Sequence, residues 1–168
     1  GLRLKLDELL AWAQEGYEGV KWKPAPAEAQ AKMLDFFGQR LRALFAAGQD
    51  VDSRVADAAL GAGFNDIRTL KARFDALAAF SQADDFAQAV LTFKRADNII
   101  RKQGGEAGVV LSASVDAAKL DAPEEKELYR ILGETAPRFE ELWAAGDFAG
   151  ILGQLGEIRP ALDAFFDK

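Results

Sequence analysis

Between Asp66 and Ile100 the apolar residues return at steps of three, four or seven: Ile67, Leu70, Phe74 and Leu77 to Phe80, then Phe86, Val90, Phe93 and Ile100. That period lines up one face of an α-helix, whereas a half-buried strand would alternate. The same signature recurs on either side. Leu4, Leu6, Leu9, Leu10 and Ala13 give a first amphipathic segment that stops near Gly16, followed by the Pro-bearing connector "VKWKPAP", with Tyr17 and Trp22 as its anchors. A second helix is expected from Ala27 to Ala47, with Met33, Leu34, Phe37, Leu41, Leu44 and Phe45 inward and Gly48 as its stop. Asp52 is placed to cap a short helix that Gly61 and Gly63 end, and Asp66 precedes the next.

Beyond residue 102, "QGGEAGVVLSASVD" has three glycines and two serines and is the weakest stretch for regular structure, with "GVVL" as a candidate extended segment. Pro123 opens a further helix carrying Leu128, Ile131, Leu132, Phe139, Leu142 and Trp143, which Pro137 is expected to kink or split. "GDFAGILGQLGEI" and "PALDAFFDK" read as two short closing helices. The expected fold is an all-α helical bundle. With 168 residues, 49% of them apolar, one compact domain with an attached piece is the expected size.

The chain has no cysteine and no histidine. That removes thiolate and imidazole metal sites, disulfides, cysteine nucleophiles and histidine acid–base catalysis. No nucleophile–base spacing and no phosphate-cradling loop is present, so no catalytic residue, metal ligand or cofactor contact is assigned. No uncharged apolar run approaches the roughly 20 residues that span a bilayer, no signal-peptide pattern opens the chain, and a cytoplasmic setting is expected. Gly1 at the start and Met33 as the sole methionine suggest a piece of a longer polypeptide.

Charge is unevenly spread. The whole chain carries a formal −6, yet Phe64 to Gly104 holds seven Lys/Arg against five Asp, while the remainder holds fourteen against twenty-two. Within "FKRADNIIRKQGG", Lys94, Asn98, Arg101 and Lys102 are related by steps of four, seven and eight, away from the apolar stripe of Phe86, Val90, Phe93 and Ile100. Two readings fit a basic strip on an acidic body. It engages a polyanion locally, or it solvates a helix face and complements the helix C-terminus. Arg68, Lys71 and Arg73 carry the second reading as well. Phe36, Phe37, Phe45, Phe74, Phe80, Phe86 and Phe93 are expected in the core rather than as base-stacking platforms.

Four blocks in fixed order, "MLDFFGQRLRALF", "DSRVADAALGAGFNDIRTLKARFDALAAF", "DDFAQAVLTFKRADNIIRK" and "PEEKELYRILGETAPRFEELWAAGDFAGILGQLGEIRPALDAFFDK", resemble the C-terminal part of the β subunit of bacterial glycyl-tRNA synthetase. "GLRLKLDELLAWA" is similar to the link behind that subunit's preceding helical module. The resemblance implies a linker helix over residues 1–25 and, over 26–168, an α-helical anticodon-binding domain of the class shared with arginyl-tRNA synthetase, truncated at its C-terminus. It implies tRNA-Gly, the α subunit and the rest of the β subunit as partners, with no DNA or membrane. ATP and the catalytic site would belong to the parent enzyme, on the α subunit, and this piece would position tRNA without performing the chemistry.

The resemblance carries RNA contact onto Lys94, Arg95 and Asn98, with Arg101 and Lys102 extending the strip. Lys and Arg suit phosphates, and Asn98 or an Arg suits the edges of splayed loop bases. Asp97 departs from the small or basic residue common there. The family also continues past "FFDK" into a further helix, so apolar surface around Phe165 and Phe166 is expected to be exposed. The competing reading is a helical scaffold that meets the other subunits through Trp12, Trp22 and the C-terminal Phe pair, without RNA contact.

Overall fold

The computed structural model describes residues 5–17, 19–21, 23–47, 51–105 and 115–168, with the side chains of 103–105 left aside. Among them are seven α-helices and no strand: α1 (Leu6–Glu15), α2 (Pro26–Ala47), α3 (Ser53–Gly61), α4 (Ile67–Phe80), α5 (Phe86–Gly105), α6 (Pro123–Ala145) and α7 (Phe148–Phe166), with a 3-10 turn at Ala117–Lys119. The protein is all-α. It divides into two compact units, Gly1–Ser81 and Gln82–Lys168.

The first unit is built on α3 and α4. Val55, Ala56 and Ala59 from α3 pack with Leu70, Phe74 and Ala78 from α4, and Leu41 and Phe45 of α2 close over them. The Phe45 and Phe74 rings lie 4.6 Å apart. Leu70 and Phe74 are fully buried, each contributing about 1.5–3 kcal/mol of apolar burial. Small residues on α3 let α4 approach closely. Asp52 caps α3 as the sequence predicts, accepting from the Arg54 N–H, and Asp66, where the helical pattern resumes, caps α4 by accepting from the N–H groups of Arg68 and Thr69. The first turn of α1 lacks a cap of its own, and Asn65 supplies one from a distant loop, accepting from Leu6 through its carbonyl and from Asp7 through its side chain.

The stripe of α2 is narrower than its sequence suggests. Leu34, Phe37, Leu41 and Phe45 turn inward, whereas Met33 and Leu44 are exposed and Phe36 is 58% exposed. Phe36 follows one residue before Phe37, about 100° around the helix, and so leaves the packed face with its ring edge-on to Phe37. Gly48 and Trp22, expected as a stop and an anchor, lie outside the described residues.

In the second unit, α7 packs against α6 and α5. Gly146, with φ of +70°, ends α6 in left-handed backbone, and Asp147 caps α7 by accepting from Gly150. Pro137 lies inside an unbroken α6, so of the two expectations for it the split does not occur. One sequence expectation fails: residues 148–166 form one helix through Pro160 rather than two. Ile151, Ile158 and Ala161 are buried on both sides of Pro160, and their packing outweighs the roughly 3 kcal/mol that an internal proline costs. Each proline has a glycine four residues earlier, Gly133 and Gly156, where the backbone must yield. The glycine-rich stretch also begins later than expected, since α5 continues through Gly105, and "GVVL" lies outside the described residues.

A Cβ added at Gly150 would sit 2.6 Å from Leu142 Cδ2 and 2.7 Å from Asp147 Oδ2, whereas one at Gly153 meets nothing within 4 Å. Leu142 is buried and Asp147 is held as a cap, so neither yields easily. Gly150→Ala is expected to destabilise the second unit by about 1–3 kcal/mol, while Gly153→Ala raises stability by about 0.5–1 kcal/mol, as read by denaturant titration.

The first unit should be acid-sensitive. The Arg54 side chain and backbone N–H hold Asp52 down to about 2 from an ordinary 3.8. Bonding to the Asn65 side chain and the Arg42 guanidinium likewise lowers Asp7 and Asp57. The unfolded chain takes up these protons first, so the stabilisation is complete above pH 4 and fades toward pH 2. Asp52→Ala is expected to lower Tm at pH 7 and to flatten the acid arm of Tm against pH; an unchanged arm would remove Asp52 from the account.

Candidate nucleic-acid interface

α5 buries a different stripe from the one its bulky residues mark. Ala89 and Thr92 are buried and Phe93, Ala96 and Ile99 half-buried, whereas Val90, Leu91 and Ile100 are exposed. The reason is the approach of α7, which accepts small side chains and one hydroxyl: Thr92 Oγ1 donates to Asp163 Oδ1 at 2.6 Å. A search for large apolar residues passes over this stripe, and only the spacing of Ala89, Thr92 and Ala96 signals it.

The rotation of α5 fixes where its cations point. Lys94, Arg95, Asn98 and Lys102, with Leu91 and Ile99, line one shallow depression of about 380 Å³. Lys94, Asn98 and Lys102 are exposed, spaced by four, and without a hydrogen-bond or ion-pair partner among the described residues. Four residues rise about 6 Å along a helix, so the two ammonium-bearing positions stand about 12 Å apart along its axis.

The other two predicted residues are engaged within the chain. Arg101 Nε donates to Asp97 at 2.7 Å, which is where the unexpected carboxylate of Asp97 spends its charge. Arg95 Nη2 donates to the Phe166 carbonyl at 2.6 Å, its Cζ lies 4.6 Å from the Phe166 ring centroid, and Asp167 stands 3.9 Å away. Phe166 lies 71 residues from Arg95, and no local pattern announces the contact. Phe165 is 38% exposed, as expected, while Phe166 is half-covered.

The remaining cations of the predicted basic pair of helices are mostly structural. Lys71 pairs with Asp75 at 2.6 Å, and Arg73 donates to the Ala59 and Gly63 carbonyls, closing the end of α3. Burial lowers the Arg73 guanidinium from its ordinary range. Trp12 is exposed on α1, and Trp143 is exposed on α6 with its ring edge-on to Phe148. A second concavity of about 520 Å³, between α5, α6 and α7, is apolar and lined by Phe93, Leu128, Leu132, Phe139, Leu155 and Leu162 among others. Among the described residues no group of three or more carboxylates is set to hold a metal, and no helix is long and apolar enough to cross a membrane.

No protein-family model matches the chain. Curated proteins do. The glycine–tRNA ligase beta subunit of Solidesulfovibrio magneticus is 54% identical over all 168 residues. That of Nitratidesulfovibrio vulgaris (strain Miyazaki F) is 51% identical over 99% of this chain, and that of Geobacter sulfurreducens 35% identical over 100% of this chain. The chain spans about a quarter of the length of these relatives: 24%, 24% and 23%. Along its full length, then, this all-helical chain belongs with one segment, about a quarter, of the glycine–tRNA ligase beta subunit family.

Proposed function

We propose that this chain is the tRNA-binding part of a glycine–tRNA ligase β subunit, and that it holds the anticodon region of tRNA-Gly on α5 without performing chemistry itself. The observation that carries the reading is the row of Lys94, Asn98 and Lys102, exposed and unpaired among the described residues around one shallow depression. Two ammonium groups flanking an amide match a strand of loop RNA: the lysines hold phosphates, and Asn98, with two donors and an acceptor, reads a base edge between them. Leu91 and Ile99 give that base an apolar floor. The chain outside Phe64–Gly104 is net negative and repels polyanions, so attraction is concentrated on α4 and α5, and on α4 Lys71 and Arg73 are engaged within the chain.

On this reading residues 1–25 form a linker and 26–168 an anticodon-binding domain of the arginyl-tRNA-synthetase class. ATP, glycine and the catalytic residues belong to the α subunit, and the working environment is the cytoplasm. The absence of histidine and cysteine agrees with a binding role.

A second reading, association with the α subunit or the rest of the β subunit, is favoured by the apolar concavity between α5, α6 and α7. The two readings part in one experiment. An anticodon stem-loop of tRNA-Gly is titrated against the chain at several salt concentrations. Lys94→Gln and Lys102→Gln should each flatten the slope of log K against log salt by about 0.7, the value of one single-strand phosphate contact. Asn98→Ala should leave the slope alone and reduce discrimination against a changed anticodon by about tenfold, at about 1.4 kcal/mol per tenfold. Slopes that ignore both lysines, with subunit association lost in Leu132→Asp, would transfer the role to the apolar face.

A further inference from the structure

Three polar contacts join α5 and the residue just before it, Asp85, to α7, and they climb both sides in the same order. Arg159 Nη1 donates to the Asp85 carboxylate at 2.7 Å, Thr92 Oγ1 to Asp163 at 2.6 Å, and Arg95 Nη2 to the Phe166 carbonyl at 2.6 Å. Residue numbers rise together on the two sides, so the helices run parallel here and each contact fixes the axial register of α5 on α7. The middle one has a buried donor, Thr92 being 3% exposed, and a carboxylate acceptor whose side chain is 36% exposed. A hydrogen bond to a charged acceptor is worth more than one between neutral groups.

The third contact involves a residue that sequence alone groups with the RNA-facing cations. Arg95 differs from its neighbours in being engaged three times over: by a backbone carbonyl, by the face of Phe166 and by the Asp167 carboxylate. The Phe166 carbonyl belongs to the last turn of α7, where carbonyls lack partners within the helix and a cation complements the dipole. A planar guanidinium can meet an acceptor at its edge and a ring at its face at once, which an ammonium cannot do. Lys94, one residue away, and Asn98 and Lys102, on the next two turns, have no such partner among the described residues.

We propose that Arg95 is a positioning residue: it locks the end of α7 onto α5 and so sets the register and direction of the Lys94, Asn98 and Lys102 row, and it does not itself contact RNA phosphate. The inference rests on the reading of that row as an RNA contact. Its consequence is a separation of two roles that a charge count merges. Removing a phosphate contact lowers the salt dependence of binding, while removing a clamp lowers affinity and stability and leaves the salt dependence as it was.

The test uses the 168-residue chain, an anticodon stem-loop of tRNA-Gly across a salt series, and thermal melts of the same variants. Arg95→Gln is expected to bind roughly threefold more weakly or worse, to melt at a lower temperature, and to keep the native salt slope. Phe166→Ala, which keeps the carbonyl acceptor and removes only the ring under the guanidinium, should weaken binding in the same direction but less and keep the slope, and Arg95→Gln/Phe166→Ala should lose less than the sum of the two, because the ring acts partly through Arg95. Arg95→Lys, which keeps the charge, should not restore binding. A slope that falls by about 0.7 in Arg95→Gln while Phe166→Ala binds normally would place Arg95 on a phosphate and overturn the proposal. If the native chain binds no stem-loop, the RNA reading itself falls. The melts then still decide the clamp, with additive losses in the double variant refuting it and shared losses sustaining it.

Discussion

The second unit depends on one corner. Left-handed backbone at Gly146 ends α6, and Leu142 rests against Gly150, where any side chain would collide. That fit turns α7 back along α6, so that Ile151, Ile158 and Ala161 are buried and Lys168 reaches Glu124 near the start of α6 at 3.3 Å. Once α7 has this course, Arg159, Asp163 and Phe166 stand where α5 can meet them. The basic row of α5 is therefore aimed from a turn more than forty residues along the chain, and no feature of α5 alone determines its direction.

The first unit solves the same problem with different means. Helices of nine to twenty-two residues are marginal in isolation, and each needs a neighbour to cover its apolar stripe. Alanines on α3 admit α4 to close range, Leu70 and Phe74 fill the space between, and borrowed groups finish the ends. Asn65 caps α1 from the loop before α4, and Arg73 closes α3 from within α4. These long-range caps tie short helices into a unit more than the surface ion pairs do, since exposed pairs such as Lys32 with Glu28 contribute little.

Much of this was legible in the sequence where the signal is local. The N-cap at Asp52, the resumption of helix at Asp66, the helix start at Pro123 and the all-α class follow from spacing and cap chemistry within a few residues. Failures arise where a distant partner decides. Pro160 reads as a break, yet the packing of α7 on α6 carries the helix through it. Val90 and Ile100 read as core, yet α7 selects Ala89 and Thr92. Phe36 is apolar but faces outward because Phe37 already occupies the inward position. The candidate site shows the same limit: its residues are visible as a charged strip, whereas the fate of each depends on Asp97 and Phe166. Of five residues read as one group, the fold leaves Lys94, Asn98 and Lys102 available, ties Arg101 to its own helix and ties Arg95 to α7.

On the proposed reading, this acidic helical chain meets RNA through the Asn98 turn of α5, in a row that α7 holds in register. The most direct measurement places a benzoylphenylalanine photocrosslinker at position 98, and at position 132 as a comparison in the apolar concavity, and irradiates each chain with full-length tRNA-Gly. The account predicts crosslinks from position 98 to anticodon-loop nucleotides and none to the loop from position 132. Crosslinks from position 132 alone, or from both to scattered nucleotides, would contradict it.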